Sequence, residues 1–136
     1  KKVALINFGA RLQECIKASE SLNQKGISTS VADARFAKPL DEDLIWQLST
    51  THEIIIAIEE GSIGGFGSHL MQFLTNRGLI DKGIKFRSMV LPDYFIDQDT
   101  PENMYKKAGL DANSIEEKVI ETLKSNIILS KVKSKH

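Results

Sequence analysis

Ile54-Ile55-Ile56-Ala57-Ile58-Glu59-Glu60-Gly61-Ser62-Ile63-Gly64-Gly65-Phe66-Gly67-Ser68 is the stretch whose reading decides the fold class. Four isoleucines and an alanine in a row predict a strand over Ile54 to Ile58 that is buried on both faces. Two glutamates close it, and four glycines follow within seven residues. From about Ser68 a helix is predicted to Arg77, with Leu70, Met71, Phe73 and Leu74 inward and Gly78 as its stop. Strand, glycine loop and helix in that order is where α/β proteins commonly place ligands or partners.

Working outward, the same alternation of strand and helix recurs. Val3 to Phe8 is an apolar run that ends at Gly9 and predicts a first strand. Ala10 to Gln24 carries Leu12, Cys15, Ile16, Ala18, Ser19 and Leu22 at helical spacing, with Gly26 just beyond its end. Ile27 to Ala32 predicts a second strand, buried on both sides like the third. Pro39 keeps Lys38 extended, and Asp41 is placed to cap a helix over Glu42 to Ser49. After the glycine loop and its helix, Lys85 to Leu91 predicts a fourth strand ending at Pro92-Asp93-Tyr94. Thr100 and Pro101 open a short helix over Glu102 to Ala108. Ser114 with Glu117 three residues on has the form of a capping box for a last helix carrying Val119, Ile120 and Leu123. The lysine-rich end, residues 127–136, is expected to be a disordered tail after a domain over 1–126. Strands separated by helices predict a mostly parallel sheet with helices on both faces.

Size and composition bound the function. The chain has 136 residues, one ordinary domain, with eighteen basic against eighteen acidic side chains. Balanced charge gives no footprint for nucleic acid or an anionic membrane. No apolar run approaches the roughly 20 residues that span a bilayer. Cys15 is the single cysteine, which rules out a disulfide or a cysteine-built zinc site within one chain. A cytoplasmic context is the default expectation. The chain starts at Lys1 and enters a strand by Val3, which suggests a fragment of something longer.

The glycine loop is the first candidate site. Gly61-x-x-Gly64-Gly65-x-Gly67 lacks the Lys-Ser/Thr of a P-loop and the third glycine of a dinucleotide fingerprint, and it follows the third strand rather than the first. Glu59 and Glu60 would repel a pyrophosphate. One like-charge pair at ~4 Å costs about 4 kcal/mol at an effective dielectric of about 20. The glycines are better read as a tight turn that lets the next helix approach a neighbouring surface closely. Glu59 and Glu60 as an acid/base pair is disfavoured, because adjacent strand residues point to opposite faces; one of them is expected to bind across a domain seam or to a backbone amide.

His52, His69 and His136 are scattered without metal-ligand spacing. His69 falls in the first turn of the predicted helix. Cys15 is expected in the core and Trp46 in packing. The second informative segment is Asp33-Ala34-Arg35-Phe36-Ala37-Lys38-Pro39-Leu40-Asp41. With parallel strands it leaves the same sheet edge as the glycine loop. Arg35 and Lys38 near Glu59 or Glu60 would then form a mixed-charge rim around Phe36, which fits a protein surface better than a small-molecule pocket. The interface candidates are therefore Arg35, Phe36, Lys38, Glu59, Glu60, Gly64, Gly65, Phe66, Gly67 and His69.

These segments, with Leu91-Pro92-Asp93-Tyr94-Phe95-Ile96 and Ala108-Gly109-Leu110-Asp111 after them, occur in an order that resembles the C-terminal domain of the 1-deoxy-D-xylulose-5-phosphate synthases, within the transketolase-like thiamine diphosphate enzymes. Glu-Glu followed by Gly-Gly-x-Gly-Ser is shared by many transketolase-type C-terminal domains. The Arg-Phe-x-Lys-Pro-Leu-Asp and Leu-Pro-Asp-x-Phe-Ile segments point to the synthase. The resemblance runs from about Val3 to Leu123 and implies a three-layer α/β/α sandwich, with about five strands in a mostly parallel, mixed sheet that includes one antiparallel strand. It implies a full-length enzyme, a homodimer, that condenses pyruvate with glyceraldehyde 3-phosphate, releasing carbon dioxide, for isoprenoid, thiamine and pyridoxal synthesis. Thiamine diphosphate and Mg2+ would be held by the other domains, whose Gly-Asp-Gly motif is missing here, so no catalytic, cofactor or metal residue carries over to this chain. Phe66 stands where related loops more often have alanine, and it is expected to face solvent or a neighbouring domain. Two functions follow as expectations: a non-catalytic domain that packs on the rest of a transferase of this or another transketolase type, or a stand-alone module binding anions or nucleotides at the glycine loop.

Overall fold

The computed structural model describes residues 2–9, 11–34, 41–60, 65–91 and 111–134, and the side chains of these except at 60, 90, 91 and 126–134. Four strands are described, β1 (Lys2–Phe8), β2 (Ser28–Asp33), β3 (Ile54–Glu60) and β4 (Lys85–Leu91). Four α-helices accompany them, α1 (Leu12–Gln24), α2 (Glu42–Thr51), α3 (Phe66–Asn76) and α4 (Ala112–Ser134), and a 3-10 turn covers Ile80–Lys82. The strands form one parallel sheet in the order β2-β1-β3-β4.

Each central strand feeds two cores because its side chains alternate faces. Val3 and Leu5 join Ile54, Ile56 and Ile58 under α1 and α4, where Cys15, Ala18, Leu22, Ile115 and Val119 close the layer. Ala4, Ile6 and Phe8 join Ile55 and Ala57 on the other face, under Ile45 of α2 and Phe66, Leu70 and Leu74 of α3. The result is the expected α/β/α sandwich. Its sheet is four-stranded and wholly parallel among the described residues, and the antiparallel strand implied by the resemblance is not among them.

The expectation for β2 needs correction. Ser28 and Ser30 are exposed and only Thr29 is buried, so this strand is not covered on both sides. It lies at the edge of the sheet, while β1 and β3 occupy the centre.

Helix ends also differ from the sequence reading. α2 starts as expected, with the Asp41 carboxylate accepting from Leu44 N at 3.0 Å. α4 is capped by Asp111, which accepts from Ser114 N at 3.0 Å, so Ser114 lies inside the helix instead of capping it. Glu14 of α1 accepts from Ala112 N at 2.9 Å, a second carboxylate on the positive end of the same helix. Farther along, Glu116 accepts from Ser21 at 3.0 and 3.1 Å and from Lys25, binding α4 to α1. The backbone of α4 is helical to Ser134, beyond the domain end at 126 expected from sequence. The short helix expected over 102–108 lies outside the described residues.

Candidate functional site

Strand addition runs from β1 outward to β2, then crosses back to place β3 on the other side of β1. That reversal makes the carboxyl ends of β1 and β3 the position where an α/β sheet opens a crevice. Asn7 and Phe8 sit at the end of β1 and Glu59 at the end of β3, with Asp33 beside them at the end of β2.

Asn7 ties two strand ends together. Its side chain is fully buried, and Nδ2 donates to Gly9 O at 3.0 Å and to Asp33 Oδ1 at 3.1 Å. The backbone continues the clasp, with Ala34 N donating to Asn7 O at 2.8 Å. Asn7 Oδ1 accepts from none of the described residues.

Glu59 anchors the start of α3. Ile55, Ala57 and Glu59 share one face of β3 by strand alternation, and that face lies under α3. The Glu59 side chain is 4 % exposed. Its Oε2 accepts from Phe66 N at 3.0 Å and its Oε1 from Gly67 N at 3.3 Å. A helix begins with amides that have no intrahelical acceptor, and a negative charge is favoured there. Glu59 supplies that charge from a strand seven residues earlier.

Two glycines make the arrangement possible. Gly65 precedes the first helical residue with φ of 83°, a left-handed conformation that admits glycine at little cost. Its carbonyl accepts the first helical bond, from His69 N at 2.9 Å. At Gly67 the requirement is space, since a Cβ would lie 2.6 Å from Ser88 Oγ and 3.3 Å from Glu59 Oε1. Close packing against β3 and β4 is therefore what this glycine serves.

Phe66 corrects an expectation. It is fully buried and its ring stacks on Phe8, with centroids 4.6 Å apart and planes 10° from parallel. The reason is the helix start. α3 begins at Phe66 and not near Ser68, so residue 66 occupies the inward side with Leu70 and Leu74. The ring fills the core between β1 and α3 and is not available to solvent or to another domain.

Of the other candidates, His69 is exposed on the first turn of α3. Arg35, Phe36, Lys38 and Gly64 lie outside the described residues, as does the Glu60 side chain, so the mixed-charge rim is not described. Trp46 is 41 % exposed, with the Arg77 guanidinium and the Lys82 ammonium each 6.0 Å from its ring centroid. Cys15 is in the core, where burial pushes its thiol up to about 12. The sequence reading passed over Asn7, Asp111 and Glu14. An amide inside the apolar run Val3–Phe8 was the available signal for Asn7.

The start of α3 is thus capped from within the chain. Two of the amides that could meet a phosphate at a helix N-terminus, those of Phe66 and Gly67, already donate to the carboxylate of Glu59. Among the described residues no three His, Cys, Asp or Glu side chains come together as a metal-binding group. No described helix is long and apolar enough to cross a membrane.

Comparison with known proteins agrees with this geometry. The chain resembles a solved structure described as "Split gene transketolase, inactive beta4 tetramer", with a TM-score of 0.76 and 25 % identity over 91 % of this chain and 40 % of that one. A transketolase from Campylobacter jejuni subsp. jejuni NCTC 11168 shares the fold with a TM-score of 0.62 and 11 % identity, over 88 % of this chain and 16 % of that one. The chain therefore spans less than half the length of either. Residues 1–115 match the family described as "Transketolase, C-terminal domain", and the chain belongs to that family.

Proposed function

We propose that this chain is the non-catalytic C-terminal domain of a thiamine diphosphate-dependent transferase of the 1-deoxy-D-xylulose-5-phosphate synthase type. The observation that carries the non-catalytic part is Glu59 on the amides of Phe66 and Gly67. It stabilises the crevice edge as a packed structure and leaves those donors no capacity for substrate or cofactor phosphate.

A diphosphate needs amide donors, cationic side chains or a bound metal ion. The two amides at the start of α3 are taken, and the described residues hold no metal set. These residues do not fit thiamine diphosphate with Mg2+, which we assign to the other domains of the same polypeptide. The domain over 1–126 would pack on them at the carboxyl edge of the sheet, in a cytoplasmic homodimer, without contacting nucleic acid or a membrane.

Support for the synthase over other transketolase-type enzymes comes from the Asp33–Asp41 and Leu91–Ile96 segments. The competing reading, a domain of another transketolase-type enzyme, is favoured by the likeness to the split-gene protein. The test is an assay of this chain and of the full reading frame containing it. With pyruvate, glyceraldehyde 3-phosphate, thiamine diphosphate and Mg2+, the full-length protein should release carbon dioxide and form 1-deoxy-D-xylulose 5-phosphate, and the chain alone should form none. Turnover by the chain alone would sink the non-catalytic assignment. A full-length protein that transfers ketol groups between sugar phosphates and ignores pyruvate would replace the synthase with the competing reading.

A further inference from the structure

β2 ends the described sheet, with β1 on one side and no described strand on the other. An edge strand offers amides and carbonyls to any other extended chain, and natural proteins blunt such edges with lysine, proline, a bulge or a covering loop. β4, at the other end of the described sheet, carries Lys85 and Arg87. β2 reads Ser28-Thr29-Ser30-Val31-Ala32-Asp33, without proline, lysine or arginine and with its one charge at the last residue. Its register with β1 runs unbroken from Ser28 to Asp33, so it has no bulge either. Such a strand needs another guard.

A side-chain amide supplies it. Asn23, in the last turn of α1, accepts from Thr29 N with Oδ1 at 2.8 Å and donates from Nδ2 to Thr29 O at 3.1 Å. One planar amide thus engages both backbone groups of one residue, as a neighbouring strand would. The direction follows from strand geometry. Residues of a parallel strand turn their N–H and C=O alternately to either side. Ala34 N donates to Asn7 O of β1, so the even-numbered residues face β1 and Thr29, Val31 and Asp33 turn outward. Asn23 occupies the first of these outward positions.

We infer that Asn23 is a guard of the sheet edge: its side chain stands in for a missing neighbour strand and keeps β2 from pairing with an extended segment of another molecule. An incoming strand gains by forming a run of backbone bonds, and the run of outward residues is shortened at its start by the filled position at Thr29. Two neutral hydrogen bonds from an exposed side chain contribute only modestly to net stability. The larger consequence is for association, and it is independent of which transferase the domain serves.

The test compares wild type, Asn23→Ala and Ile55→Val by sedimentation over one concentration range, with amide hydrogen exchange alongside. Asn23 is exposed, so its truncation leaves no cavity and the variant is expected to fold. Ile55→Val is a mild truncation in the buried centre of β3 and controls for lost stability. Asn23→Ala should self-associate at a concentration at least tenfold below the other two. Its Thr29 and Val31 amides should gain protection as the concentration rises, whereas the wild-type Thr29 amide is protected at every concentration. Asn23→Asp, which keeps the acceptor and adds a repelling charge, should behave as wild type. An Asn23→Ala chain that associates no more than Ile55→Val overturns the inference. So does association that leaves the Thr29 and Val31 amides unprotected, or an Asn23→Asp chain that pairs as readily as Asn23→Ala.

Discussion

The Glu59 carboxylate on β3 accepts a hydrogen bond from the Phe66 amide at 3.0 Å, binding the end of a central strand to the first residue of α3. With the second bond to Gly67, one buried side chain does what a separate capping residue or a bound anion does elsewhere. The carboxylate thereby occupies two of the amides that an anion at the start of α3 would use.

Removing that carboxylate should be costly. Glu59→Ala is expected to lower stability by about 2–3 kcal/mol, because two amides lose a charged acceptor in a buried setting. Glu59→Gln, which keeps the volume and one acceptor oxygen, should cost less. In the alanine variant the helix terminus becomes open to an anion, so sulfate should raise its unfolding midpoint more than it raises that of the wild type. Denaturant melts with and without sulfate measure both effects. Equal sulfate responses in the two proteins would show that Glu59 is not what fills the anion position.

Phe66 offers a test of where the ring belongs. As a core residue stacked on Phe8, its truncation to alanine should cost about 3–5 kcal/mol in this chain alone. Phe8→Ala should cost a similar amount, and the double variant should lose less than the sum, since the two rings share one contact. A ring meant for another domain would instead leave the stability of this chain nearly unchanged.

Gly67 is a question of space between α3 and β4. Glycine to alanine within a helix normally gains up to about 1 kcal/mol. Here the new methyl meets Ser88 Oγ at 2.6 Å, so Gly67→Ala should be unfavourable or neutral, and Gly67→Val should cost about 1–3 kcal/mol. Combining Gly67→Ala with Ser88→Ala removes the nearest obstacle, and the alanine should then be better tolerated than in the wild-type background. The four melting curves of that cycle decide it.

Much of this was legible in the sequence. Ile54 to Ile58 declared a strand buried on both faces, and the alternation of strand and helix declared the α/β layers. That a glycine here serves close packing, as Gly67 does, was readable from Glu59 and Glu60, as was the possibility that one of them binds a backbone amide. Other features depend on distances that no local pattern contains. Strand order is a tertiary outcome, so the edge position of β2 could not be read from Ile27 to Ala32. The left-handed Gly65 moves the start of α3 to Phe66, and that small shift turns an expected surface aromatic into a core one. The cap of α4 was misread for a related reason. Asp111 and Ser114 are both good capping residues, and what favours the earlier start is Glu14, brought to Ala112 N by the packing of α1 on α4.

The contact between α1 and α4 carries a pH signature. The hydrogen bond from Lys25 holds the Glu116 carboxyl below its ordinary value, with Ser21 adding to the effect against a partial opposing contribution from burial. The folded state therefore binds the proton less readily than the unfolded chain. Its stabilisation is complete above the ordinary glutamate range, about 4.3, and is lost as the pH falls through the depressed folded value. Glu116→Gln, which cannot titrate, should be less stable than the wild type at neutral pH and should lose less on acidification. The difference between the two stability–pH curves isolates this group from the other carboxylates. That difference should shrink steadily below the ordinary glutamate range, and a gap that stays constant down to acid unfolding would mean that Glu116 holds α4 by shape alone.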